Sequence, residues 1–118
     1  MMNIKTDAES NIIYTFSHGT IDTEDMAGLL PILKEKIEKH GKARWYYEMK
    51  DFNGWKVEAF WEDIKFDFKH SRDFEKIAMV GEKKWQDWMT QTMKPFSPAE
   101  IKYFDLSDEK LAKEWIEA

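Results

Sequence analysis

Short β-rich runs alternate with amphipathic helical stripes along this chain, and that alternation limits its folds more than any other feature. Asn11–His18 carries Ile12, Ile13, Tyr14 and Phe16 and closes at Gly19. Asn3–Thr6 reads as a strand paired with it across a turn at Asp7–Asn11. Asp22 or Thr23 then caps a helix whose Met26, Leu29, Leu30, Leu33 and Ile37 recur at helical spacing, up to Gly41. Pro31 falls inside this stripe and is expected to bend the helix or limit its first segment. Ala43–Lys50 is the next strand, its Trp45, Tyr46 and Tyr47 favouring a pleated backbone, and Asp51–Trp55 is a turn.

The second half repeats the scheme. Val57, Phe60, Trp61, Ile64 and Phe68 fall on one helical face. Phe74–Val80 is continuously apolar at Ile77, Ala78, Met79 and Val80, as expected of a central parallel strand buried on both sides, and Gly81 ends it. A helix with Trp85, Trp88, Met89 and Met93 stops before Pro95. Ala99–Phe104 is a further strand, and Ser107 opens a last helix carrying Leu111, Ala112, Trp115 and Ile116. This order predicts an α/β fold with a single mostly parallel or mixed sheet of four to five strands and four helices. With 118 residues and no linker or low-complexity tract, residues 1–118 read as one domain.

Composition excludes several functions. The net charge of −5 argues against nucleic acid as a partner, because Lys residues alternate with Glu and Asp instead of forming a basic face. The absence of cysteine removes disulfides, thiolate metal sites and a Cys nucleophile. No apolar run approaches the roughly 20 residues that span a bilayer, and the polar Met1–Ser10 is not a signal peptide, so no integral membrane segment and a cytoplasmic location are expected.

Five stretches resemble the SpoIIAA-like family of small bacterial proteins: EMKDFNGW at Glu48–Trp55, AFWEDIKF at Ala59–Phe66, FEKIAMVGEKKW at Phe74–Trp85, AEIKYFD at Ala99–Asp105 and KLAKEWI at Lys110–Ile116. The resemblance spans nearly the whole chain in order. It implies an STAS-like fold, related in architecture to CRAL-TRIO lipid-binding domains, and a role in binding a hydrophobic ligand or a partner. Anti-sigma-factor antagonists carry a phosphorylatable Ser in a strand-to-helix turn. The counterpart here, Asp51-Phe52-Asn53-Gly54, has neither Ser nor Thr.

Reactive groups are sparse. His18, His40 and His70 lie far apart in sequence and offer no local metal spacing, so neither a metal nor a cofactor is expected. Glu62, Asp63 and Asp67 read as a solvated helix face balanced by Lys65 and Lys69. Gly81-Glu82-Lys83-Lys84 lacks the further glycines of a phosphate loop, and Glu82 would repel an anion. Ser17 adjoins His18, but neighbouring strand residues point to opposite faces.

Ligands of open α/β sheets commonly meet the carboxyl ends of the strands. Here that edge would gather His18-Gly19, Asp51–Trp55, Gly81–Trp85 and Asp105. With 18 aromatic residues, the rings fill the core, line an apolar pocket or form a face that a partner covers. The leading expectation is a non-catalytic binding module for a small hydrophobic molecule, such as a lipid, or for a protein partner. Phe60, Trp61, Ile64, Trp85 and Met89 would line the ligand. Asp51, Phe52, Asn53, Gly54 and Trp55 would dock a partner. The alternative is a regulator of the antagonist type that docks without a phosphorylatable Ser, and the aromatic content also suits a homodimer. The third reading, an enzyme using His18 and Asp22, requires side chains to converge that nothing in the sequence draws together.

Overall fold

Trp45, Tyr46 and Tyr47 are all buried, and this fixes the place of their strand, because successive strand residues face opposite sides of a sheet. Trp45 and Tyr47 belong to one apolar cluster and Tyr46 to another. The strand is therefore covered on both faces. The computed structural model describes residues 2–21, 23–55, 74–82 and 100–118. Its elements in chain order are β1 (Met2–Thr6), β2 (Ile12–Ile21), α1 (Thr23–His40), β3 (Ala43–Trp55), β4 (Phe74–Gly81), β5 (Glu100–Asp105), a 3₁₀ turn (Leu106–Asp108) and α2 (Glu109–Glu117).

The five strands form one sheet in the order β1-β2-β3-β4-β5, so β3 is the middle strand. β1 runs antiparallel to β2, and the other three pairings are parallel. The expected single mixed α/β sheet is present. The helices expected at Val57–Phe68 and around Trp85–Met93 lie outside the described residues.

On one face, Leu29 and Leu33 of α1 pack in a cluster with Ile13, Trp45, Tyr47, Met49, Phe74, Ile77 and Met79. On the other, Ala112 and Ile116 of α2 pack with Tyr46, Ala78 and Val80, flanked by Tyr14, Phe16, Phe104 and Trp115. The continuous apolar run of β4 is thus divided, with Ile77 and Met79 on the α1 side and Ala78 and Val80 on the α2 side. Much of the aromatic content belongs to these two cores. Trp45 lies 5.3 Å from Tyr47 and 6.0 Å from Phe74 between ring centres. Tyr46 lies 5.5 Å from Tyr14 and 5.7 Å from Phe16.

Pro31 does not end α1, which is continuous from Thr23 to His40. The Ala27 carbonyl that loses its i+4 donor and the proline ring both lie on the exposed side of the helix, where water can solvate the gap. Gly41 terminates it as expected, with φ +80° and its N–H donating to the Ile37 carbonyl at 2.8 Å. Lys36 is buried, and its ammonium donates to the Asp7 and Ser10 carbonyls while Lys39 donates to that of Ala8. The β1–β2 turn is thereby pinned to α1.

The final helix begins differently from the expectation at Ser107. A 3₁₀ turn intervenes, α2 starts at Glu109, and neither Asp105 nor Asp108 supplies a side-chain cap. Its far end is held by tertiary contacts instead. Arg44 donates to the Ile116 carbonyl at 2.9 Å, and Lys76 to that of Trp115 at 3.2 Å. Both cations meet the negative end of the helix dipole.

The buried polar groups of the α1 side also fix the pairing of β2 with β3. The Thr15 hydroxyl donates to the Tyr46 carbonyl and accepts from Trp45 Nε1, each at 3.1 Å. Thr15→Val keeps the shape and leaves the indole N–H unpaired, so it is expected to cost about 1–3 kcal/mol in urea unfolding. Thr15→Ser, which retains the hydroxyl, is expected to cost distinctly less.

Candidate functional site

Parallel pairing of β2 to β5 brings their carboxyl ends to one edge of the sheet, where the sequence placed the binding residues. Two features distinguish this edge. The ladder between β3 and β4 ends at Glu48↔Val80, but β3 continues to Trp55 alongside β2. A two-stranded parallel ribbon therefore runs on beyond the last β4 partner. Its register is irregular: His18 pairs with Lys50, Gly19 with Phe52, Thr20 with Gly54 and Ile21 with Trp55. Asp51 and Asn53 are left as extra residues, each a bulge.

The segment Asp51–Trp55 is thus strand rather than the expected turn. The correction has a physical basis in two unusual backbone positions. Asp51 takes φ +51°, where Asp is better tolerated than most residues, and Gly19 opposite takes φ +72°. These conformations absorb the extra residues and let pairing resume. β2 correspondingly runs through Gly19 to Ile21 instead of stopping.

Glu82, expected only to repel anions, reaches across this break. Its carboxylate accepts the Asp51 backbone N–H at 3.2 Å, linking the end of β4 to the bulge. Nearby, the Tyr103 hydroxyl is shared between the Gly81 and Glu82 carbonyls, at 2.8 Å from each. Burial, together with the negative charges of Asp105 and Glu82, pushes that phenol up to about 12. It remains a neutral hydrogen-bond donor across the physiological range.

The other expected residues divide clearly. Asp51 is an exposed ribbon residue, and Phe52, Asn53, Gly54 and Trp55 lie along the same paired backbone. Phe60, Trp61, Ile64, Trp85 and Met89, proposed as the ligand wall, lie outside the described residues, as do Asp22, Glu62, Asp63, Asp67 and His70. Ser17 is buried while His18 is exposed, in keeping with opposite faces. Among the described residues, no group of three His, Cys, Asp or Glu side chains could hold a metal ion. A groove of about 320 Å³ between the β1–β2 turn and α1 is lined by Thr6, Ala8, Ile32, Glu35, Lys36 and Lys39. Its lysines are engaged by the turn carbonyls, and it is remote in sequence from the carboxyl edge.

Sequence reasoning missed a polar cluster beneath α2. Tyr46 donates to Glu48 Oε1 at 2.7 Å, and Tyr14 donates to Glu117 Oε1 at 2.7 Å. Lys113 stands over the Phe16 and Tyr46 rings, 5.6 and 5.9 Å from their centres. Burial raises the Glu48 carboxyl above its ordinary value; the Tyr46 hydrogen bond opposes this, and Glu109 adds to it. Glu48 was a visible signal. A carboxylate two residues from Tyr46, on one face of an otherwise aromatic strand, requires a partner there.

A third bulge marks the start of β4. Ala43 pairs with Phe74 and Arg44 with Lys76, which leaves Glu75 unpaired and free to turn toward Arg44. Arg44 Nη2 meets Glu75 Oε1 at 3.1 Å and Nε meets Oε2 at 3.3 Å, a two-pronged ion pair.

Two outcomes follow for these backbone and charge features. Asp51→Val places a β-branched residue at positive φ and is expected to lower stability by about 1–2 kcal/mol, whereas Asp51→Gly is expected to be neutral or stabilising. Thermal unfolding of both variants checks this. The Arg44 guanidinium holds the Glu75 carboxyl below its ordinary value. Its stabilisation is therefore full above that ordinary value and is lost as pH falls through the lowered one. In Arg44→Gln, an NMR titration should return the Glu75 midpoint upward, toward the ordinary carboxylate value.

The comparisons with known proteins agree with this architecture. The SpoIIAA-like family model matches residues 12–117. A crystal structure of an uncharacterized protein of the DUF3478 family with a SpoIIAA-like fold, from Shewanella loihica PV-4, superposes with a TM-score of 0.65. That protein is 24% identical, and the match covers 98% of this chain and 92% of the other. At that identity the likeness speaks for the fold. No curated protein sequence matches the chain. A family model extending from β2 through α2, with the mixed five-stranded sheet it accompanies, places this chain in the SpoIIAA-like family.

Proposed function

We propose that this chain is a non-catalytic binding module whose recognition element is the carboxyl edge of its sheet. The observation that carries this reading is the β2–β3 ribbon, which continues to Trp55 beyond the last β4 partner of β3. The ribbon places Asp51, Phe52, Asn53, Gly54 and Trp55 on a paired backbone beyond that partner. Two bulges and a positive φ at Asp51 are conformational costs that the sheet core does not require. Backbone strain of this kind concentrates at sites of recognition.

The occupant in this reading is an apolar molecule or an apolar protein surface. The segment includes Phe52 and Trp55 in its sequence, and aromatic residues are enriched in both kinds of interface. Tyr103 and Glu82 are occupied in bracing the backbone at this edge. No helix among the described residues is long and apolar enough to cross a membrane. Regulation by docking fits the same element: a partner is recognised at the strand end where antagonist-type relatives carry their switch, without a Ser or Thr to phosphorylate.

Native mass spectrometry of the freshly purified protein tests the reading, because it reports bound molecules and subunit number together. The expected result is a retained apolar adduct or a defined complex, lost in Phe52→Ser/Trp55→Ser while circular dichroism is unchanged. A complex or adduct that survives this double substitution would remove the ribbon from the binding site. A bare monomer that also leaves titrated oleate unbound would remove the apolar-ligand version.

A further inference from the structure

Ammonium groups meet aromatic rings at two places along α2, and the two differ. At the end of the helix, Lys76 and Lys102 stand over the Trp115 ring, 5.1 and 5.3 Å from its centre. The Lys76 ammonium also donates to the Trp115 carbonyl, which ties it to the helix end. Lys113 is held otherwise. Its ammonium stands over two rings at once, 5.6 Å from the centre of Phe16 and 5.9 Å from that of Tyr46. The ring centres are themselves 5.7 Å apart and the rings are inclined by 50°, so the ammonium occupies the corner between them. Among the described residues it makes no hydrogen bond or ion pair besides.

The strand register builds this corner. Tyr14 lies opposite Tyr46 and adds a third ring 5.5 Å from it, and Glu48 lies opposite Phe16. Both phenols donate to carboxylates, Tyr46 to Glu48 and Tyr14 to Glu117, each at 2.7 Å. An anionic acceptor draws on the phenol proton and enriches the ring in electron density, which strengthens its pull on a cation. The carboxylates add negative charge beside the rings, and the net charge of −5 favours the approach of cations generally.

A primary ammonium suits such a corner poorly. It carries three N–H donors and a tight hydration shell, whereas ring faces offer it no lone pairs. A fully methylated ammonium has no donors to satisfy and meets ring faces through its methyl groups. We propose that the corner of Tyr14, Phe16 and Tyr46 is a binding site for a small quaternary ammonium compound, with Lys113 as the stand-in that the ligand displaces. Lys113 is half-buried on a flexible stem, so leaving costs it two ring contacts and a new rotamer. Lys5, exposed on β1 with its ammonium 5.7 Å from the Phe16 centre, is the other cation that the ligand meets. The inference does not depend on what the carboxyl edge binds.

The test is a titration with choline chloride at constant ionic strength, followed by NMR of the Phe16 and Tyr46 ring resonances. Saturable shifts with a dissociation constant in the millimolar range are expected. The neutral carbon isostere of choline, with a tert-butyl group in place of trimethylammonium, is expected to give none. Lys113→Gln removes the competing ammonium and should tighten choline binding about two- to fivefold. Phe16→Leu, with its fold checked by circular dichroism, should abolish saturation. Saturable shifts missing from both wild type and Lys113→Gln, or equal binding of the neutral isostere, would overturn the proposal. Choline binding that Lys113→Gln fails to tighten, or that survives Phe16→Leu, would overturn it as well.

Discussion

Burial of β3 on both faces is the constraint from which the rest of this structure follows. A strand carrying Trp45, Tyr46 and Tyr47 in succession directs large rings to both sides of the sheet, so one layer of helices cannot cover it. α1 covers one face and α2 the other. The polar bonds conform to the same demand. Thr15 satisfies the Trp45 indole in one core, while Glu48 accepts from Tyr46 on the opposite side. Buried donors left unpaired on a central strand would offset much of what the aromatic packing contributes.

Once β3 is fixed in the middle, its length becomes informative. The part paired on both sides ends near Glu48, and among the described residues only β2 pairs with the remainder, as far as Trp55. Bulges at Asp51 and Asn53 adjust the register there, and Glu82 secures the first of them through the Asp51 N–H. The same strand therefore changes along its length, from a segment paired on both sides to one paired with β2. The two ends of α2 are treated as unequally. Arg44 and Lys76 grip its last carbonyls, whereas its first turn has no side-chain cap.

Several expectations held because they rest on short-range chemistry. Gly41 ends α1 since only a residue tolerant of positive φ completes that cap, and the unbroken apolar run of β4 marked a strand buried on both faces. Pro31 leaves α1 unbroken, and Asp51–Trp55 diverged from a turn, for the complementary reason. A proline is accommodated when the carbonyl it orphans faces water. An Asp-Phe-Asn-Gly segment has turn composition yet remains in the sheet when a neighbouring strand supplies pairing partners. Ser107 was a sound local cap, but tertiary contacts at the other end of α2 made a cap dispensable.

The sequence by itself determined the α/β class and the order of the described strands along the chain, because hydrophobic periodicity is a local property of consecutive residues. Only the tertiary structure decided that Asp51–Trp55 is a bulged ribbon, that Glu82 braces it, and that Tyr14 meets Glu117 from 103 residues away. Those contacts join side chains across the sheet and through helix docking. No spacing in the chain encodes such a meeting until β3 is enclosed from both sides.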